Sequence, residues 1–158
     1  MIENRLQALR ALMDENKLDA VIVSKYVNLH YFSGFRGDDT MLVIGREKAM
    51  LITDSRYTEQ AAQQAPLFEL VQQKDGLLQK TAECVKAIGA KRVGFEGNAL
   101  IYDDFSTLTK LLAGLQFDTA LKLDTPRQIK DAEELAHIRK ACRIADLAFE
   151  DMLTYIRP

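Results

Sequence analysis

Histidine and cysteine are scarce: the 158-residue chain has two of each. A metal centre draws on clustered His, Cys, Asp or Glu, and His30 and His137 lie in distant parts of the sequence. Cys84 and Cys142 are also far apart, with no Cys-x-x-Cys spacing. Two buried thiols in a reducing compartment are expected. Excess charge of either sign is missing, since 21 basic and 23 acidic side chains leave a net charge of −2. No basic excess is available to neutralise a run of phosphates, which argues against nucleic acid as the main partner. Long apolar runs are absent too. Stretches such as Met41-Leu42-Val43-Ile44 fall far short of a membrane span. The opening Met1-Ile2-Glu3-Asn4-Arg5 lacks the charged-then-apolar layout of a signal peptide. A cytoplasmic protein is expected. No Gly-x-Ser-x-Gly elbow and no Gly-x-x-x-x-Gly-Lys loop occurs, so serine hydrolysis and phosphoryl transfer find no support.

What is present is a core-forming chain, 47% hydrophobic and 28% charged, of a size suited to one domain. Ile2, Leu6, Leu9 and Met13 recur on one face of an amphipathic helix. The run Ala20-Val21-Ile22-Val23 then reads as a short buried strand. Residues 28–32 form one helical turn, and Gly34 and Gly37 force a loop. Met41-Leu42-Val43-Ile44 and Ala49-Met50-Leu51-Ile52, joined by Gly45-Arg46-Glu47-Lys48, predict a hairpin. Asp54 or Ser55 caps a helix that Pro66 must end. Further strands are predicted at 68–71, 92–95 and 121–123. Helices are predicted from Leu77 to Gly89 and over 105–112. Strands alternating with helices, plus one hairpin, predict an α/β domain with a mixed β-sheet flanked by helices.

The C-terminal segment differs in kind. Asp131 and Glu134 have the spacing of a capping box. Beyond them Leu135, Ile138, Cys142, Ala145, Phe149, Met152 and Ile156 keep a strict 3.5-residue period. A helix over 131–156 runs about 39 Å, whereas a compact domain of the preceding residues is about 36 Å across. The far half, with Phe149, Met152 and Ile156, is therefore expected to overhang. Either it folds back on its own sheet or it docks on another domain or a second chain.

No reaction centre emerges from the residues. Glu134 and His137 form one Glu-x-x-His pair, but di-iron bundles need a second pair and two further glutamates on facing helices. Asp38-Asp39 and Asp103-Asp104, placed in loops, read as solvated turn or cap residues and not as metal ligands. On this reading the chain is a scaffold or a partner-binding domain.

Four segments nevertheless resemble, in the same order, the N-terminal domain of the creatinase, prolidase and Xaa-Pro aminopeptidase family. They are Arg5-Leu6-Gln7-Ala8-Leu9 leading to Leu18-Asp19-Ala20, and Asn28-Leu29-His30-Tyr31-Phe32-Ser33-Gly34-Phe35, where Phe32 replaces the common leucine. Next come Thr53-Asp54-Ser55-Arg56-Tyr57 with Glu59-Gln60-Ala61, close to an Asp-x-Arg-Tyr signature, and Arg127-Gln128-Ile129-Lys130-Asp131 with Glu134 and Arg139-Lys140-Ala141, similar to the linker.

The resemblance implies an N-terminal domain over 1–130 and, over 131–158, a linker helix leading to an absent catalytic domain. That domain would hold two divalent metal ions, such as manganese, cobalt or zinc, which activate a water and polarise the scissile carbonyl of proline-containing peptides. This chain would itself be inactive, with no catalytic or metal-binding residue. Its partners would be its own C-terminal catalytic domain and a second copy in a homodimer. The loop with Phe35, Arg36, Asp38 and Asp39 would border the active-site entrance, and Tyr31, Gly34, Asp54, Arg56 and Tyr57 would form a structural signature. Phe149, Met152 and Ile156 would serve docking or an interface. A stand-alone peptide- or histone-binding module of the same fold, and the N-terminal domain of a creatinase, remain alternatives.

Overall fold

The computed structural model describes residues 2–119 and 121–157. They form two compact units, one ending at Asp124 and one beginning at Thr125. The first is built on a six-stranded mixed sheet, in the order β4-β3-β2-β1-β5-β6. Helix α1 (Ile2–Glu15) buries Leu6, Leu9 and Met13, the amphipathic face read from the sequence. Strand β1 (Ala20–Val23) is buried along its whole length, as are β2 (Met41–Gly45) and β3 (Ala49–Thr53). Central strands covered on both faces need apolar residues at every position, which explains why these segments read as unbroken apolar runs.

Alternate residues of those strands serve opposite faces. Val21, Val23, Leu42, Ile44 and Leu51 pack with α1 and with α2 (Tyr26–Ser33) on one side. Ala20, Ile22, Val43, Met50 and Ile52 face the other. There they meet Ala82 and Val85 of α4 (Leu77–Ile88) and Leu108 of α5 (Tyr102–Leu111). The β2–β3 hairpin pairs Met41 with Ile52 and Ile44 with Ala49, closed by the Gly45 N–H donating to the Lys48 carbonyl at 2.8 Å. Strands β4 (Glu69–Gln72) and β5 (Arg92–Phe95) add in parallel to β3 and β1.

Several expectations shift. The last strand is β6 (Gln116–Asp118), not 121–123. Phe117 pairs with Val93 at the sheet edge, and the Arg92 guanidinium donates to the Asp118 carboxylate. Leu121 and Leu123 instead bury their side chains in the α1-side core. The helical turn at 28–32 is the middle of the two-turn helix α2. Helix α5 starts three residues earlier than expected, so Asp103 and Asp104 lie in its first turn rather than a loop. Carboxylates there face the positive end of the helix dipole. Asp54 caps a single 3₁₀ turn (Ser55–Tyr57), followed by α3 (Thr58–Gln64), which ends before Pro66.

The second unit comprises a 3₁₀ turn (Thr125–Arg127) and α6 (Ala132–Leu153). Its capping box is complete: Asp131 accepts from the Glu134 N–H at 2.8 Å, and Glu134 accepts from the Asp131 N–H at 2.9 Å. No side chain of α6 is buried.

Candidate functional site

The carboxyl ends of β1 and β5 are adjacent and parallel, but the chain leaves them in opposite directions. After β1 it forms α2 on one face and returns as β2; after β5 it forms α5 on the other face and returns as β6. Such a divergence beyond the strand ends is where α/β sheets place their functional groups. Here it is occupied by a polar cluster. Glu96, buried directly after β5, accepts from the Ser24 and Lys25 N–H groups at 2.7 Å each through Oε2, and from Asn28 Nδ2 at 2.6 Å through Oε1. Glu96 thereby satisfies the N–H of Lys25, the N-cap of α2, whose own side chain makes no capping bond. Asp124 accepts from Lys25 Nζ at 2.6 Å, Asn28 Nδ2 at 2.9 Å and Asn98 Nδ2 at 3.4 Å. These donors, Lys25 first, hold the Asp124 carboxyl down at about 2.

A second constellation joins the loop before β2 to the corner after β3. Arg56 donates to both oxygens of Asp54, with Nη2 to Oδ2 at 2.6 Å, and to Asp39 Oδ2 at 2.7 Å. These carboxylates push the Arg56 guanidinium up, and Arg56 in turn lowers the Asp54 carboxyl. Asp39 has a left-handed backbone (φ +47°), which short polar residues tolerate better than most. Thr40 and Thr53 link the two strand ends by hydroxyls 3.0 Å apart. Tyr57 meets Phe35 edge-on at 6.0 Å between centroids. A Cβ on Gly37 would sit 2.3 Å from Phe35 Cζ and 2.9 Å from Tyr57 Cδ1, so only glycine fits over these rings.

This placement corrects one loop assignment. Phe35 is wholly buried in the core and does not present its ring at the loop surface. Burying an aromatic ring is worth about 1.5–3 kcal/mol, and the Gly34 turn aims the residue inward. Gly34 itself ends α2 at φ +82°, its N–H donating to the His30 carbonyl at 2.7 Å. Arg36, Asp38 and Asp39 are exposed, with Asp39 engaged by Arg56. Tyr31 lies under the Arg5 guanidinium at 4.1 Å.

The α6 stripe is exposed, at 57% for Phe149 and 48% for Met152; the helix ends at Leu153, short of the expected residue 156, so Ile156, 61% exposed, lies beyond it. The thiols divide: Cys84 is buried, and burial pushes its pKa up, whereas Cys142 is exposed, against the expectation of two buried thiols. Cys142 belongs to the same uncovered helix. Among the described residues, no group of three or more His, Cys, Asp or Glu is placed to hold a metal ion. The described residues therefore do not fit a dinuclear metal centre. No described helix is long and apolar enough to cross a membrane.

The model of the creatinase/prolidase N-terminal domain matches residues 5–129. The chain belongs to this creatinase/prolidase N-terminal domain family. Both constellations lie within the matched span, and α6 lies beyond it. An uncharacterized peptidase of Bacillus subtilis, YqhT, is 35% identical over 155 residues, covering 98% of this chain and 44% of that protein. A solved Xaa-Pro dipeptidase from Bacillus anthracis superposes with a TM-score of 0.94 at 31% identity, over 100% of this chain and 44% of that one. The crystallised N-terminal domain of the cytoplasmic peptidase PepQ from Mycobacterium tuberculosis gives 0.69 at 29% identity, over 80% of this chain and 98% of that one. The chain thus spans less than half the length of the B. subtilis relative.

In this creatinase/prolidase-type domain, sequence reasoning brought Asp54, Arg56 and Tyr57 to attention but missed Lys25, Glu96, Asn98 and Asp124. Asn28 entered only as the first residue of a recognised segment. One signal was available: Glu96 places a charge immediately after the apolar strand Arg92-Val93-Gly94-Phe95.

Proposed function

We propose that this chain is the non-catalytic N-terminal domain of a proline-directed metallopeptidase, an Xaa-Pro dipeptidase or aminopeptidase, which dimerises and shapes the active-site entrance. The observation that carries this reading is the likeness to the B. anthracis Xaa-Pro dipeptidase, which takes in this whole chain but 44% of the enzyme. Domain boundaries near 130, with a linker helix from 131, agree with the end of the family match at residue 129 and with the capping box at Asp131. The metal ions and the reacting groups belong to a following catalytic domain, on which the apolar stripe of α6 docks. A cytoplasmic setting fits the description of the M. tuberculosis relative.

At the entrance, the exposed Arg36 and Asp38 meet the charged ends of peptides, while the Arg56–Asp39 pair fixes the loop that carries them. In the protein containing the catalytic domain, Arg36→Ala and Asp38→Ala are expected to raise KM for Xaa-Pro peptides several-fold with kcat little changed. Steady-state kinetics with peptides of different length checks this. Unaltered KM in both variants removes the loop from substrate selection.

A further inference from the structure

Lys25, Asn28 and Asn98 each meet Asp124 as donors, and they come from both strand ends. Lys25 and Asn28 follow β1, and Asn98 follows β5. Each carboxylate oxygen is served: Oδ1 by Asn28, and Oδ2 by Lys25 at 2.6 Å and more loosely by Asn98. One donor, Asn28, and the backbone that carries Lys25 are held by Glu96 and not by Asp124. Asn28 is fully buried, and Glu96 holds its amide at 2.6 Å while gripping the backbone of Ser24 and Lys25. An ammonium and two amides converging on two oxygens form a receptor for one planar anion. They offer no ligand to a cation, because a charged lysine has no acceptor and both amides present their NH₂ groups.

We propose that the ends of β1 and β5 form a carboxylate-binding site whose resident ligand is the chain's own Asp124, and that a free carboxylate occupies it once Asp124 is withdrawn. The site is built into the sheet by Glu96, whereas its ligand is tethered at the last residue of the first unit. Asp124 is thus a latch: it fastens the end of the first unit to the strand ends, and while seated it keeps a free carboxylate out. The depressed Asp124 carboxyl agrees with a seat made for the ionised form. This inference does not depend on peptidase function.

Acetate is the probe. Asp124→Ala empties the seat and lowers the Tm of the 158-residue chain. Sodium acetate is then expected to restore roughly 2–4 °C in a saturable manner, relative to sodium chloride at equal ionic strength. The unsubstituted chain should not respond, and Lys25→Met combined with Asp124→Ala should lose the rescue. If Asp124→Ala does not fold, Asp124→Ser gives the same titration with a small polar group in place. An absent rescue overturns the proposal. So does an equal rise in the unsubstituted chain or in the Lys25→Met double variant, because either marks a general salt effect.

Discussion

Glu96 has two oxygens and three donors aimed at them, two from the backbone and one from the buried amide of Asn28. Glu96→Gln keeps the size but must turn its NH₂ group toward at least one of those donors. The variant leaves a buried donor unsatisfied, and an expected loss of about 1–3 kcal/mol follows; urea denaturation measures it. Asp124 yields a different observable. Its carboxyl lies at about 2 in the folded chain against an ordinary 3.8, through Lys25 first and then Asn28 and Asn98. A carboxyl more acidic when folded stabilises the fold above its unfolded pKa, and that contribution disappears as pH falls through the folded value. The chain should therefore lose stability between about pH 4 and pH 2. Asp124→Asn should flatten that limb, though not abolish it, since Asp19 and Asp54 are lowered too. A limb of unchanged steepness in Asp124→Asn would show that Asp124 contributes nothing to it. None of this was legible from spacing. Residues 25–28, 96–98 and 124 meet only through tertiary pairing, and Phe35 read as a loop residue because its glycine neighbours concealed an inward turn.

At the scale of elements, legibility follows burial. Helix α1 and the strands β1, β2 and β3 have apolar patterns dictated by the faces they cover, and the sequence displays them directly. The edge strand β6 contributes Gln116, Phe117 and Asp118, too polar to read as a strand, while buried Leu121 and Leu123 nearby imitate one. Helix α6 shows the opposite relation, an apolar period with no buried side chain. At about 1.5–3 kcal/mol for each large side chain that could be covered, such a stripe favours association. The 158-residue chain is expected to self-associate with rising concentration in sedimentation velocity. Phe149→Glu or Met152→Glu should shift it toward monomer. A monomer at every concentration in the unsubstituted chain contradicts self-association through this face.

For the whole molecule, the mixed six-stranded sheet gives the first unit a frame with a hydrogen-bonded polar cluster at its strand ends and an ion-paired corner at its loop. Neither constellation gathers the ligands of a dinuclear metal centre among the described residues. The family match, the full-length likeness to an Xaa-Pro dipeptidase and the limited share of that enzyme covered agree with a division of labour. On the proposed function, this domain would supply contacts and an entrance wall, and another part of the protein would supply the reaction. The direct measurement uses the purified 158-residue chain with an Xaa-Pro dipeptide and manganese, following both metal binding by equilibrium dialysis and proline release. No tight binding of divalent ions and no turnover above the buffer rate are expected. Two tightly bound ions with peptide cleavage by this chain alone would contradict the account.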